Sequence, residues 1–386
     1  MKKKYNMGNQ NRNLFRITRF ILLKFPFIFQ LLAKFRLQKK NKRLLIIKTD
    51  AIGDYILFRN FIEIVKKSDK YKNYQIDLAG NTSWRDIALK YDKSFIGEFY
   101  FIRPDSLYDA PSETLKLGWL LFKNNYSEVL MPSSTRTFIT DGLAALTAAK
   151  QIIGFESDNE GINPRYKAKT DKFYTTKLVL PPAVFFEFDR TKFYFENVLS
   201  CNIPLNGPNI EVNAVAKQGI VMVISAGVTK RCWEPEKFND LIKLVLQHTA
   251  QTVYLEGSVI DIVFDDDLNE HLLSGRLVNL MGKTTLLQLI DLVGSSSLVI
   301  ANETSVSHIA AATQTKSVCI VGGGHFDRFL PYPPGNPSGP ICVFEKMECY
   351  NCNWLCKFTT GKNEPFPCIG NVSLAAVWQQ VQPFMT

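Results

Sequence analysis

The chain has 386 residues, 46% of them apolar and 21% charged, which is ordinary globular composition and room enough for two domains that each bury a core. Its net charge of +10 sits at one end: residues 1–43 carry 13 of the 46 Lys and Arg and no Asp or Glu, leaving 33 basic against 36 acidic residues beyond. No helix-turn-helix or RNA-binding signature accompanies that charge, which sets nucleic acid aside as a partner.

Residues 1–42 form a basic leader. Its apolar stretch, Phe25 to Ala33, is short, is interrupted by Pro26 and lacks a small-residue cleavage site, so it does not read as a signal peptide. A bilayer span needs about 20 apolar residues, and Lys24 and Lys34 bracket fewer. Aromatic and aliphatic residues alternating with Lys and Arg instead predict an amphipathic segment on an anionic leaflet, where each basic residue contributes roughly 1 kcal/mol. A solvated basic arm is the plain alternative.

From residue 43 short apolar runs alternate with longer helical stretches. Leu44–Ile47 reads as a buried strand, followed by a glycine-containing loop and one helix with Leu57, Phe61, Ile64 and Val65 on a common face. Further strands are expected at Gln75–Ala79, Glu98–Ile102, Glu128–Met131 and Gln151–Gly154. The proline-rich stretch Pro181 to Pro208 reads as an interdomain region, which gives a first domain over 43–205 and a second over 206–386. The second domain repeats the alternation, with strands at Ile220–Ser225, Thr252–Glu256, Arg276–Leu280, Leu298–Ala301 and Ser317–Val321. Helices are expected at Pro235–Gln247, Thr285–Leu292, Ser307–Thr313 and Val372–Val381. Strand, helix, strand predicts α/β architecture: two doubly wound parallel sheets, with ligands at the carboxyl ends of the strands.

Three loops after strands carry candidate chemistry. In Lys48-Thr-Asp-Ala-Ile-Gly-Asp54, Gly53 suits a tight turn and Asp54 stands at a helix start, where it is either a general base or simply a cap. Asp50 is the rival base. In Ser225-Ala-Gly-Val-Thr-Lys-Arg-Cys-Trp233, Gly227 and the hydroxyls of Ser225 and Thr229 suit an approach to phosphate. Lys230 and Arg231 add cations able to offset a diphosphate leaving group, or form an exposed basic turn. In Asn302-Glu-Thr-Ser-Val-Ser-His308 small hydroxyl residues open an alanine-rich helix, whose start is a natural diphosphate seat. Thr304, Ser305 and Ser307 could equally be caps, and His308 a core histidine.

Taken together, these motifs resemble the lipopolysaccharide heptosyltransferases, glycosyltransferase family nine, from about Arg43 to the C-terminus. The family's opening strand and Gly-Asp loop match Leu44 to Asp54, and its basic-then-Trp-Pro motif matches Lys230-Arg-Cys-Trp-Glu-Pro235. Its Asp-Thr-Gly motif, followed by a His and a small-residue helix, matches Glu303-Thr-Ser-Val-Ser-His308. The resemblance implies a GT-B fold, two Rossmann-like domains facing a central cleft. It also implies an inverting transfer of heptose from ADP-heptose to a lipid-linked lipopolysaccharide core acceptor, with no required cofactor. Such an enzyme would be cytoplasmic and peripheral on the inner membrane of a Gram-negative bacterium. By the same resemblance Asp54 is the general base, and Arg231 with Lys230 contacts phosphate. Glu303, Thr304, Ser305, Val306 and His308 surround the diphosphate, Asp261 holds the ribose, and Gly282 and Lys283 lie near the nucleotide. Two departures, Ser305 for glycine and Cys232 inserted before Trp233, bear on donor identity. Another nucleotide sugar, a protein acceptor, or a degenerate glycolipid-binding scaffold are the alternatives.

Without a secretory signal, the eight cysteines are expected as thiols. Cys349, Cys352, Cys356 and Cys368 have metal-like spacing, which allows a structural zinc or iron, or else free thiols or a labile redox pair.

Overall fold

A computed structural model of the chain describes residues 11–35, 42–158, 160–212, 216–258 and 265–385. Two parallel six-stranded sheets organise it, each in its own compact unit. The first comprises β1 (Arg43–Lys48), β2 (Gln75–Asn81), β3 (Phe99–Ile102), β4 (Glu128–Met131), β5 (Gln151–Phe155) and β6 (Thr176–Leu178). The second comprises β7 (Ile220–Val223), β8 (Val253–Glu256), β9 (Leu277–Asn279), β10 (Leu298–Asn302), β11 (Ser317–Ile320) and β12 (Ile341–Val343).

The first sheet runs β3-β2-β1-β4-β5-β6, and the second, read from its far edge, runs β9-β8-β7-β10-β11-β12. Renumbered within each sheet, both have the order 3-2-1-4-5-6 of the Rossmann fold. The strand order reverses between β1 and β4 in one sheet and between β7 and β10 in the other, and a ligand crevice is expected at such points. Central strands are buried along nearly their whole length, as the unbroken apolar runs Leu44–Ile47, Ile220–Val223 and Leu298–Ala301 require of a sheet covered on both faces. The edge strands β6, β9 and β12 are three residues each and partly exposed.

The leader departs from a free arm. A 23-residue helix, Arg12–Lys34, is capped by the Asn11 side chain and docks Phe15, Ile21, Leu22 and Phe29 into the core of the first unit. It continues through Pro26, although an interior proline removes one backbone hydrogen bond and costs about 3 kcal/mol in an isolated helix. The buried aromatic face offsets that loss, with the Phe29 ring 4.6 Å from Phe122 and the Phe15 ring 5.6 Å from Tyr108. Among the described residues no helix is long and apolar enough to cross a membrane.

Two further segments differ from the sequence expectation. The single helix after β1 is two, Ile52–Phe58 and Asn60–Lys67, separated at Arg59. Arg59 Nη1 and Asn60 Nδ2 both donate to the Asn209 carbonyl, and Ile52–Asn60 clusters with the second unit. The stretch Pro181 to Pro208 is not a plain linker: it contains the helix Glu187–Leu199. Its prolines lie only at the ends, and between them Phe188, Thr191, Phe195 and Val198 are buried at helical spacing.

Candidate active site

The pairing of β7 with β10 sets the loops that follow them side by side. Asn302, the last residue of β10 and fully buried, ties those loops together. Its Nδ2 donates to the Ile224 carbonyl at 3.1 Å, and its Oδ1 accepts from the Trp233 amide at 2.9 Å. Trp233 is itself buried and donates through Nε1 to the Val372 carbonyl. The basic motif therefore hangs from a fixed tryptophan, and the Thr229–Arg231 turn is held above the sheet. Cys232, a departure from the family pattern, closes this loop by accepting the Ala226 amide at 3.1 Å.

Of the two cations, Lys230 donates to Thr360 Oγ1 at 2.7 Å, while the Arg231 guanidinium lies over the Trp354 ring. Burial lowers the Arg231 pKa, and the nearby Glu303 carboxylate raises it again. Burial pushes Glu303 up to about 7, against the pull of the Gly322 amide, which donates to its Oε2 at 3.0 Å, and of Arg231. Thr304 caps the helix Ser305–Ala312, its side chain accepting from the Val306 amide at 3.3 Å. Ser305 is partly exposed at that helix start, while Val306 is buried. His308 is a core residue: it bonds the Tyr332 hydroxyl through Nδ1 at 2.9 Å, stacks on that ring, and is pushed down to about 4 by burial.

Asp54 lies in the first turn of Ile52–Phe58, in the same unit. Gly53 has an ordinary backbone, so a tight turn is not its role. Instead a side chain there would meet His308 at 2.9 Å and the Ser305 Cα at 3.6 Å. Glycine thus lets the turn bearing Asp54 pack directly on the helix start bearing Thr304 and Ser305. Asp50 is otherwise engaged, paired with buried Lys48 at 2.8 Å and accepting from Ser133 Oγ at 2.5 Å. Thr49, Asp50, Ser133, Thr135 and Thr137 line a small pocket at the β1–β4 reversal in the first unit.

Other expected residues scatter in function. Ser225 is buried, its hydroxyl accepting from the Ser258 amide at 2.8 Å, so it joins the loops after β7 and β8. Thr229 and the open surroundings of Gly227 leave that loop approachable. Gly282 has φ +68° and donates its amide to the Gly257 carbonyl; Lys283 is exposed and donates to the Asn279 carbonyl. Asp261 lies outside the described residues. Two groups had no sequence signal. Glu256, at the end of β8, is buried with Oε2 accepting from Thr284 and Oε1 without a hydrogen-bond partner among the described residues; burial raises its pKa. Trp354 lies inside the cysteine loop, which read as a metal motif or a set of thiols.

Cys349, Cys352, Cys356 and Cys368 line one small cavity with Trp354 and Phe366, and all eight cysteines are free thiols. Among the described residues no three His, Cys, Asp or Glu side chains are grouped closely enough to hold an ion.

The model of glycosyltransferase family 9 (heptosyltransferase) matches residues 142–352. Among solved structures the chain is similar to E. coli ADP-heptose lipopolysaccharide heptosyltransferase II, at 15% identity and TM-score 0.64, covering 89% of this chain and 98% of that one. It is similar to the E. coli heptosyltransferase WaaC with ADP-2-deoxy-2-fluoro heptose, at 15% identity and TM-score 0.60, covering 88% and 99%. It is also similar to TibC, an iron-containing dodecameric glycosyltransferase of enterotoxigenic E. coli, at 15% identity and TM-score 0.53, covering 90% and 80%. These likenesses establish the GT-B fold. No curated protein matches the chain.

Proposed function

This chain belongs to glycosyltransferase family 9, and from that premise we propose that it moves a heptose from ADP-heptose to a lipopolysaccharide core acceptor, with inversion, at the inner membrane surface. The observation that carries the reading is the seat of the Asp54 turn on the start of helix Ser305–Ala312, the same helix start that faces the Arg231 loop across the β7–β10 pair. The heptosyltransferase solved with an ADP-heptose analogue supports an ADP-sugar as donor.

In this reading the donor diphosphate lies against the start of the helix Ser305–Ala312, with Arg231 and Lys230 beside it. The acceptor hydroxyl oxygen bonds to the anomeric carbon as the bond from that carbon to the diphosphate oxygen breaks. The hydroxyl proton passes to the Asp54 carboxylate, and the electron pair leaves with ADP. Charge growing on ADP is offset by groups already in place, so little reorganisation is needed during the step. No cofactor enters this scheme. Asp261 is assigned the ribose, with the buried Glu256 carboxylate a second candidate five residues earlier in the chain.

Ser305, where the family has glycine, favours one second reading: the same chemistry with another nucleotide sugar. Incubating the protein with a panel of nucleotide sugars and a core acceptor, and following nucleotide release, tests both. ADP release with ADP-heptose alone supports the first reading. Release from a different sugar nucleotide supports the second. No release from any, with nucleotide still bound, points to a glycolipid-binding scaffold.

A further inference from the structure

The helix Arg12–Lys34 is apolar on two opposite faces. One is packed into the first unit through Phe15, Leu22, Pro26 and Phe29. The other carries Ile17, Phe20, Phe27 and Leu31, at three-, seven- and four-residue spacing, with Phe35 just past the helix end, each between 47% and 86% exposed. A helix that is apolar all round is normally covered all round, and a stripe of large apolar side chains left facing solvent marks a contact surface. Trp119 on the neighbouring helix Pro111–Lys123, 5.8 Å from Phe29, is a further large apolar side chain left 45% exposed.

Charge identifies the partner. Arg12, Arg16, Lys24 and Lys34 stand exposed among these apolar residues, and no acid occurs in the leader. Lys172, from the body of the first unit, lies 4.8 Å over the Phe27 ring and adds a cation to the same face. A second copy of this chain would bring like charges together, whereas an anionic bilayer offers both an apolar interior and negative headgroups. We infer that the outer face of Arg12–Lys34 is a docking surface for anionic lipid. The inner face makes the helix part of the first unit, so the enzyme is seated on the membrane through a fixed surface and not through a loose arm. This deepens the proposed function by specifying how such an enzyme meets a lipid-linked acceptor, and it rests on that reading only for the acceptor.

The test is co-sedimentation of the whole protein with vesicles of phosphatidylcholine alone or with one quarter phosphatidylglycerol. The intact chain binds the anionic vesicles at least tenfold more tightly than the neutral ones, and the preference shrinks as salt is raised. The triple variant Phe20→Asp, Phe27→Asp, Leu31→Asp loses at least tenfold of the anionic binding while keeping its thermal midpoint and its ADP affinity, since all three side chains already face solvent. Equal binding to both vesicles, full binding by the triple variant, or a vesicle-inert dimer that the variant splits would each overturn the inference. Transfer to a delipidated acceptor separates the two ideas: its survival in the triple variant leaves the glycosyltransferase reading standing, and its absence in a vesicle-binding wild type defeats that reading alone.

Discussion

The Arg231 guanidinium lies 3.9 Å from the centre of the Trp354 ring, which fixes the direction of this half-buried cation in the basic loop. Trp354 is in turn seated on Gly322 and Gly324, where a side chain would strike its ring at 2.8 and 2.2 Å, and its Nε1 donates to His325 Nδ1 at 3.3 Å. The cysteine loop thus reaches the proposed donor site through one aromatic ring. A cation–π contact of this kind is worth about 0.5–2 kcal/mol, so Trp354→Leu is expected to weaken donor binding about 2- to 30-fold. Trp354→Phe retains part of the effect, and Arg231→Lys does not rescue, because a lysine cannot stack as a guanidinium does. A rise in donor KM, with acceptor KM unchanged, checks this and would not follow from general loosening.

Glu303 gives the site a pH response. Desolvation at its part-buried position pushes the carboxyl up to about 7, above the ordinary 4.5. Neutral below that value, it gains a negative charge above it, beside Arg231 and the proposed diphosphate seat. Donor KM is therefore expected to rise as pH climbs through about 7, and Glu303→Gln should flatten the profile. The stability sign is the same: the fold favours the protonated form, so this contribution is full below about 4.5 and lost as pH rises toward 7. His308 acts oppositely, its stabilising neutral form being lost as pH falls from 6.5 toward about 4.

Gly53→Ala tests the packing of the Asp54 turn. The new methyl would meet His308 at 2.9 Å and must displace a buried ring or the helix. Overpacking of this sort costs about 1–3 kcal/mol, read as a lower denaturation midpoint, and here the loss of turnover should exceed the loss of stability.

Asn302→Ala leaves the Trp233 amide and the Ile224 carbonyl buried without their partner. Each unsatisfied group costs about 1–3 kcal/mol, so the variant is expected to unfold at markedly lower urea and to bind ADP weakly.

Much of this was legible in sequence because it rests on pattern. Central strands such as Leu298–Ala301 are continuous apolar runs, and the loops after β7 and β10 announce themselves by Gly, Ser, Thr and paired cations. What was not legible depends on distant partners. Three-residue edge strands such as Ile341–Val343 have too little periodicity to stand out. Phe138–Leu146 is buried along its entire length and shows no polar face, although Thr137 and Thr140 form its capping box. Pro26 is tolerated only because the first unit supplies an aromatic seat. Gly53 read as a turn glycine, since nothing near it in sequence reveals a histidine more than 250 residues away. Trp354 sits in a loop and Glu256 at a strand end, and only the folded sheet brings their neighbours to them.

The central claim is that Asp54 accepts the proton of the attacking hydroxyl while the second unit holds the departing ADP. Its most direct test is Asp54→Asn, with turnover on ADP-heptose and core acceptor measured beside ADP affinity. The account predicts a turnover loss of about 10²–10⁴-fold with ADP affinity within about twofold of wild type. Turnover near the wild-type value, or an equal loss of both quantities, would contradict it.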